Sequence, residues 1–137
     1  MQEVLIQPQA GYVGLRICEP ERFNRNLEYF TVELFDPEAR ARTRVYAYEP
    51  SHLAAFFEDL ARNWRGWDAD KAWESLEGEC RFSATNDRRG HVDLTVSLKP
   101  SPNLHTWRFE GHVLIDAGQL DFVAERVRVF VGNSVAG

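Results

Sequence analysis

Cys80-Arg81-Phe82-Ser83-Ala84-Thr85-Asn86-Asp87-Arg88-Arg89-Gly90-His91-Val92-Asp93-Leu94-Thr95-Val96-Ser97-Leu98 contains two runs of strict alternation separated by a polar turn. Cys80, Phe82 and Ala84 share one face of the first run, and Val92, Leu94, Val96 and Leu98 one face of the second. Period two over this length specifies half-buried strands. A three-residue loop, Arg88-Arg89-Gly90, suits a type I turn with Gly90 in the left-handed position. It pairs Asp87 with His91, Phe82 with Val96 and Ala84 with Leu94, and it sets Glu79 opposite Lys99 as a cross-strand ion pair. A slip of one residue would place apolar side chains opposite polar ones, so the register is determined.

The pattern extends outward from this hairpin. After Pro100-Ser101-Pro102-Asn103, the positions Trp107, Phe109, Gly111, Val113 and Ile115 form an apolar face, with Thr106, Arg108, Glu110 and His112 opposite. Gly111 leaves room for a bulky helix residue above it. Asp116 and Gln119 have capping-box spacing. They introduce a helix with the stripe Leu120, Val123, Ala124, Val127 and Phe130 or Val131, ended by Gly132. Upstream, Val4-Leu5-Ile6, Val13–Cys18, Tyr29–Leu34 and Arg42–Ala47 read as strands, with a turn at Asp36-Pro37-Glu38-Ala39. From Pro50 the period becomes 3.6, and Leu53, Phe56, Phe57, Leu60 and Trp64 form a helical stripe that Gly66 ends. The order strands-helix-strands-helix predicts an α+β fold: an antiparallel sheet of about six to seven strands with two helices on one face.

The 137 residues suffice for a single domain spanning 1–137. A composition of 44% hydrophobic and 27% charged residues is that of an ordinary globular chain. No stretch approaches the ~20 apolar residues of a membrane span, and the N-terminus lacks the pattern of a signal peptide. Two cysteines, Cys18 and Cys80, form no disulfide framework, which points to a reducing cytoplasm. Alternation places Cys18 on a polar face and Cys80 on an apolar one. A net charge of −5 opposes binding to phosphate backbones, so no nucleic-acid partner is expected. No internal repeat or linker is visible.

Trp73-Glu74-Ser75-Leu76-Glu77-Gly78, then Gly90–Leu98, then Ala117-Gly118-Gln119-Leu120-Asp121 resemble a family of small bacterial domains of unknown function. The resemblance implies a bacterial cytoplasmic domain and brings no reaction, cofactor or catalytic residue.

The four histidines are scattered, and neither CxxC nor HExxH occurs, so no metal or cofactor is expected. No nucleophile elbow or phosphate loop exists. His91, Asp93 and Asp87 form the best polar cluster for chemistry, although polar residues are the ordinary content of a solvated sheet face. Residues 49–78 hold seven acidic and three basic side chains, and three of the four tryptophans. Trp64 completes the helix stripe and Trp73 covers the core. Glu58, Asp59, Asp68 and Asp70 lie off the apolar positions, with Trp67 in a loop beside them, and predict a negative surface with an aromatic anchor. The expected activity is non-catalytic protein interaction with a basic partner, of which a toxin-neutralising immunity protein is one form. The open sheet face also offers a surface for self-association. The alternative is a small-molecule binding domain or minor hydrolase with a pocket near the tryptophans or His91.

Overall fold

The computed structural model describes residues 2–101 and 103–132; Pro102, in the loop expected after the second hairpin strand, lies outside them. Four strands open the chain: β1 (Glu3–Ile6), β2 (Gly14–Phe23), β3 (Asn26–Phe35) and β4 (Arg40–Tyr46). Helix α1 (Ser51–Arg62) follows. Then come β5 (Lys71–Glu74), β6 (Cys80–Asn86), β7 (His91–Leu98) and β8 (Phe109–Asp116), a 3-10 turn over Ala117–Gln119, and α2 (Leu120–Val131). The fold is α+β, and both groups of strands are antiparallel meanders, β1-β2-β3-β4 and β5-β6-β7-β8.

The hairpin register agrees with the expectation: Phe82 lies opposite Val96, Ala84 opposite Leu94, and the Asp87 N–H reaches the His91 carbonyl. The loop differs in detail, because Arg88 as well as Gly90 takes positive φ. The capping box at Asp116 and Gln119 is present and starts the 3-10 turn that leads into α2. Strand β5 escapes the alternation reading because only four residues, two of them half-buried, carry it.

The single sheet of six to seven strands is replaced by two sheets of four. The free edge of β4 explains the break. The Tyr46 N–H, which a fifth strand would use, donates instead to the Glu79 carboxylate at 3.0 Å. Further links between the sheets are the Thr43 hydroxyl to the Lys99 carbonyl at 2.7 Å and the Val13 N–H to the His112 carbonyl at 2.9 Å. Gly111 marks a close approach of the two sheets, not of a helix. A Cβ there would lie 2.8 Å from a Val13 methyl and 3.4 Å from Leu34.

The architecture repeats although the sequence shows no repeat: each half is a four-stranded meander followed by a twelve-residue helix. The helices are exchanged between the halves. Phe56 and Phe57 of α1 meet Phe82 in the second sheet at 6.1 and 5.7 Å between ring centroids. Phe130 of α2 meets Phe30 in the first sheet at 6.1 Å. Both sheets and both helices therefore share one apolar core.

The expected ion pair between Glu79 and Lys99 is absent although the register places them together, with the Lys99 N–H on the Glu79 carbonyl at 2.8 Å. The Glu79 side chain is fully buried, where the Ser75 hydroxyl donates to it at 2.6 Å, and it bridges the β5–β6 turn to β4. Trp107, expected on the apolar face, precedes β8 and is exposed.

Candidate functional site

The segment after α1 is held closely to the second sheet. The helix stops at Arg62, and the Asn63 amide turns back to donate to the Asp59 carbonyl at 2.9 Å. Gly66, at φ +132°, permits the close passage that follows, because a Cβ there would lie 2.8 Å from the Asn86 side-chain oxygen. The Trp67 indole N–H donates to the Ala84 carbonyl at 3.1 Å, and the Asn86 amide donates to the Trp67 carbonyl at 2.8 Å. Trp67 is consequently half-buried against the core.

The predicted carboxylates do not make one free surface. Asp59 pairs with Lys71 at 2.9 Å, Asp68 pairs with Arg88 at 2.6 Å, and Asp70 accepts from the Ser83 hydroxyl at 2.8 Å. Glu58 stands apart on α1. The aromatic position changes too: Trp64, read as the last member of the helix stripe, is 53% exposed, with the Arg65 guanidinium 4.8 Å from its ring centroid. The helix ends one turn earlier than Gly66 implies, so the four-residue step from Leu60 no longer points inward.

Glu58 belongs to a groove between α1 and α2, lined with Ala61, Arg62, Asp121, Ala124 and Glu125 and enclosing ≈ 300 Å³. It continues, through Ala61 and Asp121, into a second hollow formed with Trp64, Ala117 and Gly118. The small side chains form the floor and carboxylates the walls. Glu125 is tied to Arg128 at 2.5 Å, and that hydrogen bond holds its carboxyl below the usual range. Arg62 reaches Asp59 at 3.5 Å. Glu58 and Asp121 make no ion pair among the described residues. Asp121 and Trp64 were within reach of the sequence: Asp121 lies on the polar side of the second stripe, and Asn63 is a helix-ending residue.

The polar cluster of the second sheet is divided differently from the expectation. His91 pairs with Asp87 at 2.8 Å, and Asp87 also accepts the backbone N–H groups of Arg89 and His91. These bonds, that from Arg89 foremost, hold the Asp87 carboxyl below its ordinary value. Asp93 pairs with His112, not His91, at 2.9 Å. The Thr95 hydroxyl lies 3.2 Å from the same His112 Nδ1. A hydroxyl–imidazole–carboxylate relay uses opposite ring nitrogens for base and orienting contact. One nitrogen shared by both partners provides no relay.

Both cysteines are free and buried, Cys18 on the polar face at 8% exposure and Cys80 at 0%. The outward face of the first sheet is covered by long ion-paired side chains: Arg16 with Glu33, Arg42 with Glu19 and Arg44 with Glu21. Burial, aided by Glu19, pushes the Cys18 thiol up to about 11, and burial holds the Cys80 thiol well above its ordinary value. Because the thiolate is the reactive form, the native protein should react with a thiol-specific disulfide reagent at pH 8 only over hours. Unfolding in urea should release two thiols within minutes. A native thiol titrating within minutes would show that the arginine–glutamate layer does not cover Cys18.

Within the Trp73–Gly78 segment, Trp73, Ser75 and Gly78 hold the local fold. Trp73 packs on Phe82 at 5.3 Å, Ser75 binds the buried Glu79 and accepts the Cys80 N–H, and Gly78 turns the chain at φ +83°. The chain belongs to DUF6228, a family of unknown function. The match covers residues 6–134, so membership extends back through the N-terminal meander as well as over the motifs of the second half. No curated protein matches the sequence. Among the described residues no helix is long and apolar enough to cross a membrane.

Proposed function

We propose that this family member is a non-catalytic protein-interaction domain that holds a basic segment of its partner along the α1–α2 groove. The observation that carries this reading is the coincidence of two carboxylates without ion pairs, Glu58 and Asp121, with the exposed Trp64 at the end of one continuous hollow. Aromatic anchors beside complementary charge are the usual centre of a protein interface. Toxin neutralisation in a bacterial cytoplasm fits this reading, since it requires binding without chemistry, and two buried free thiols suit a reducing compartment.

Titration of Trp64 fluorescence with a short arginine- and lysine-rich peptide tests the reading. The affinity should fall with salt, as exposed charge pairs are screened within ~10 Å at 0.1 M. Glu58→Gln combined with Asp121→Asn should weaken binding about tenfold, equal to ~1.4 kcal/mol. Asp68→Asn should leave it within about twofold, because Asp68 is already paired with Arg88. Equal losses in the two variants would mean unspecific attraction to a net-negative protein, and would remove the groove from the proposal.

A further inference from the structure

On the side of the second sheet opposite the helices lies a trough of ≈ 220 Å³, lined by Glu74, Arg81, Ser83, Thr95, Ser97, Lys99, Arg108 and Glu110, with Gly78 at its end. The strand register creates it. Arg81 lies beside Ser97 on one side, Glu110 lies beside Ser97 on the other, and Thr95 continues the floor between Ser83 and His112. Ser97 is the centre.

The hydrogen bonds leave a defined set of donors unused. Arg108 is committed: its guanidinium reaches Glu110 at 2.5 Å, and its Nε donates to the Ser97 oxygen at 3.0 Å. Ser97 thus accepts from Arg108, and its own hydroxyl proton remains free to be donated. Arg81 faces Glu74 at 3.8 Å, beyond hydrogen-bond distance, so its donors are not consumed. Lys99 has no carboxylate partner among the described residues, since Glu79 opposite it is turned inward to Ser75 and Tyr46. Two cationic side chains and the Ser97 hydroxyl line the same trough.

We infer that this trough binds the oxyanion of a small molecule, a phosphate or carboxylate group, seated over Ser97 between Arg81 and Lys99. The volume sets the size, being below the ~300–1,000 Å³ of sites for drug-sized ligands. Charge-assisted hydrogen bonds from Arg, Lys and a hydroxyl are the usual chemistry for such a group. Glu74 competes for Arg81 and opposes the ligand. The inference is independent of the helix groove, which lies across the sheet.

The test is a titration followed by backbone-amide chemical shifts, with inorganic phosphate in one arm and acetate in the other. Ionic strength is held constant with chloride. Saturable shifts should concentrate at Ser83, Thr95, Ser97 and Lys99 in at least one arm, and the responding arm identifies phosphate or carboxylate as the preferred group. Lys99→Met should weaken binding roughly fivefold or more, through loss of one charge-assisted contact. Glu74→Gln should tighten it, whereas Glu28→Gln, on the other sheet, should leave it unchanged. Shifts that fail to saturate in both arms, or equal effects of Glu74→Gln and Glu28→Gln, would overturn the site.

Discussion

Glu79→Ala is expected to lower the unfolding free energy by about 2–4 kcal/mol, measured by urea denaturation. Glu79 is a carboxyl with no exposed surface and no cation beside it. Its two oxygens receive the Ser75 hydroxyl at 2.6 Å and the Tyr46 N–H at 3.0 Å. Deleting the side chain leaves both donors buried without acceptors, at about 1–3 kcal/mol each. Part of this is offset because the cost of desolvating the carboxyl disappears as well. Glu79→Gln keeps an acceptor for Tyr46 and should cost about 1 kcal/mol, roughly one ordinary hydrogen bond. Ser75→Ala and Glu79→Ala should be less than additive, since they remove the same contact. A loss below about 1 kcal/mol for Glu79→Ala would mean that the link between β4 and the β5–β6 turn does not hold the sheets together.

Glu79 also shows where reading the sequence reached its end. Alternation around Gly90 gave the correct pairing of β6 with β7, because register there depends on local turn geometry and on neighbouring faces. The same alternation placed Glu79 beside Lys99 on a solvated face. Alternation cannot see that β4, thirty-three residues earlier in the chain, passes over that position. The split into two sheets was hidden for the same reason: it depends on a side chain capping a strand edge. Likewise Gly111 was legible as a space, but its occupants, Val13 and Leu34, come from the other half of the chain.

The candidate site was legible as composition and less so as geometry. The excess of acidic and tryptophan residues in 49–78 is real, and Glu58 does face a groove. Charge counting could not reveal that Lys71, Arg88 and Ser83 from neighbouring strands engage Asp59, Asp68 and Asp70. Nor could it supply Asp121, sixty-three residues after Glu58, which the packing of α2 along α1 brings into the same groove. His112 was missed as the partner of Asp93 because their strands' pairing had not been registered residue by residue.

The two aromatic positions at either end of this question should respond in opposite ways to truncation. Phe82 is fully buried where α1 meets the second sheet, in contact with Phe56, Phe57 and Trp73 at 5.3–6.1 Å between centroids. Phe82→Ala removes that packing and leaves a cavity among rings that cannot all close inward, so it should cost about 3–5 kcal/mol. That is a large share of the ~5–15 kcal/mol by which folded proteins are usually stable. Trp64→Ala should cost less than about 1 kcal/mol, since more than half of the side chain already meets solvent and the Arg65 guanidinium beside its ring is exposed too. Were Trp64 the last residue of the helix stripe, its loss would rival that of Phe82. The urea midpoints of the two variants therefore decide whether Trp64 is part of the core. A small stability loss, combined with weakened binding of the basic peptide, would separate its role in recognition from any role in folding.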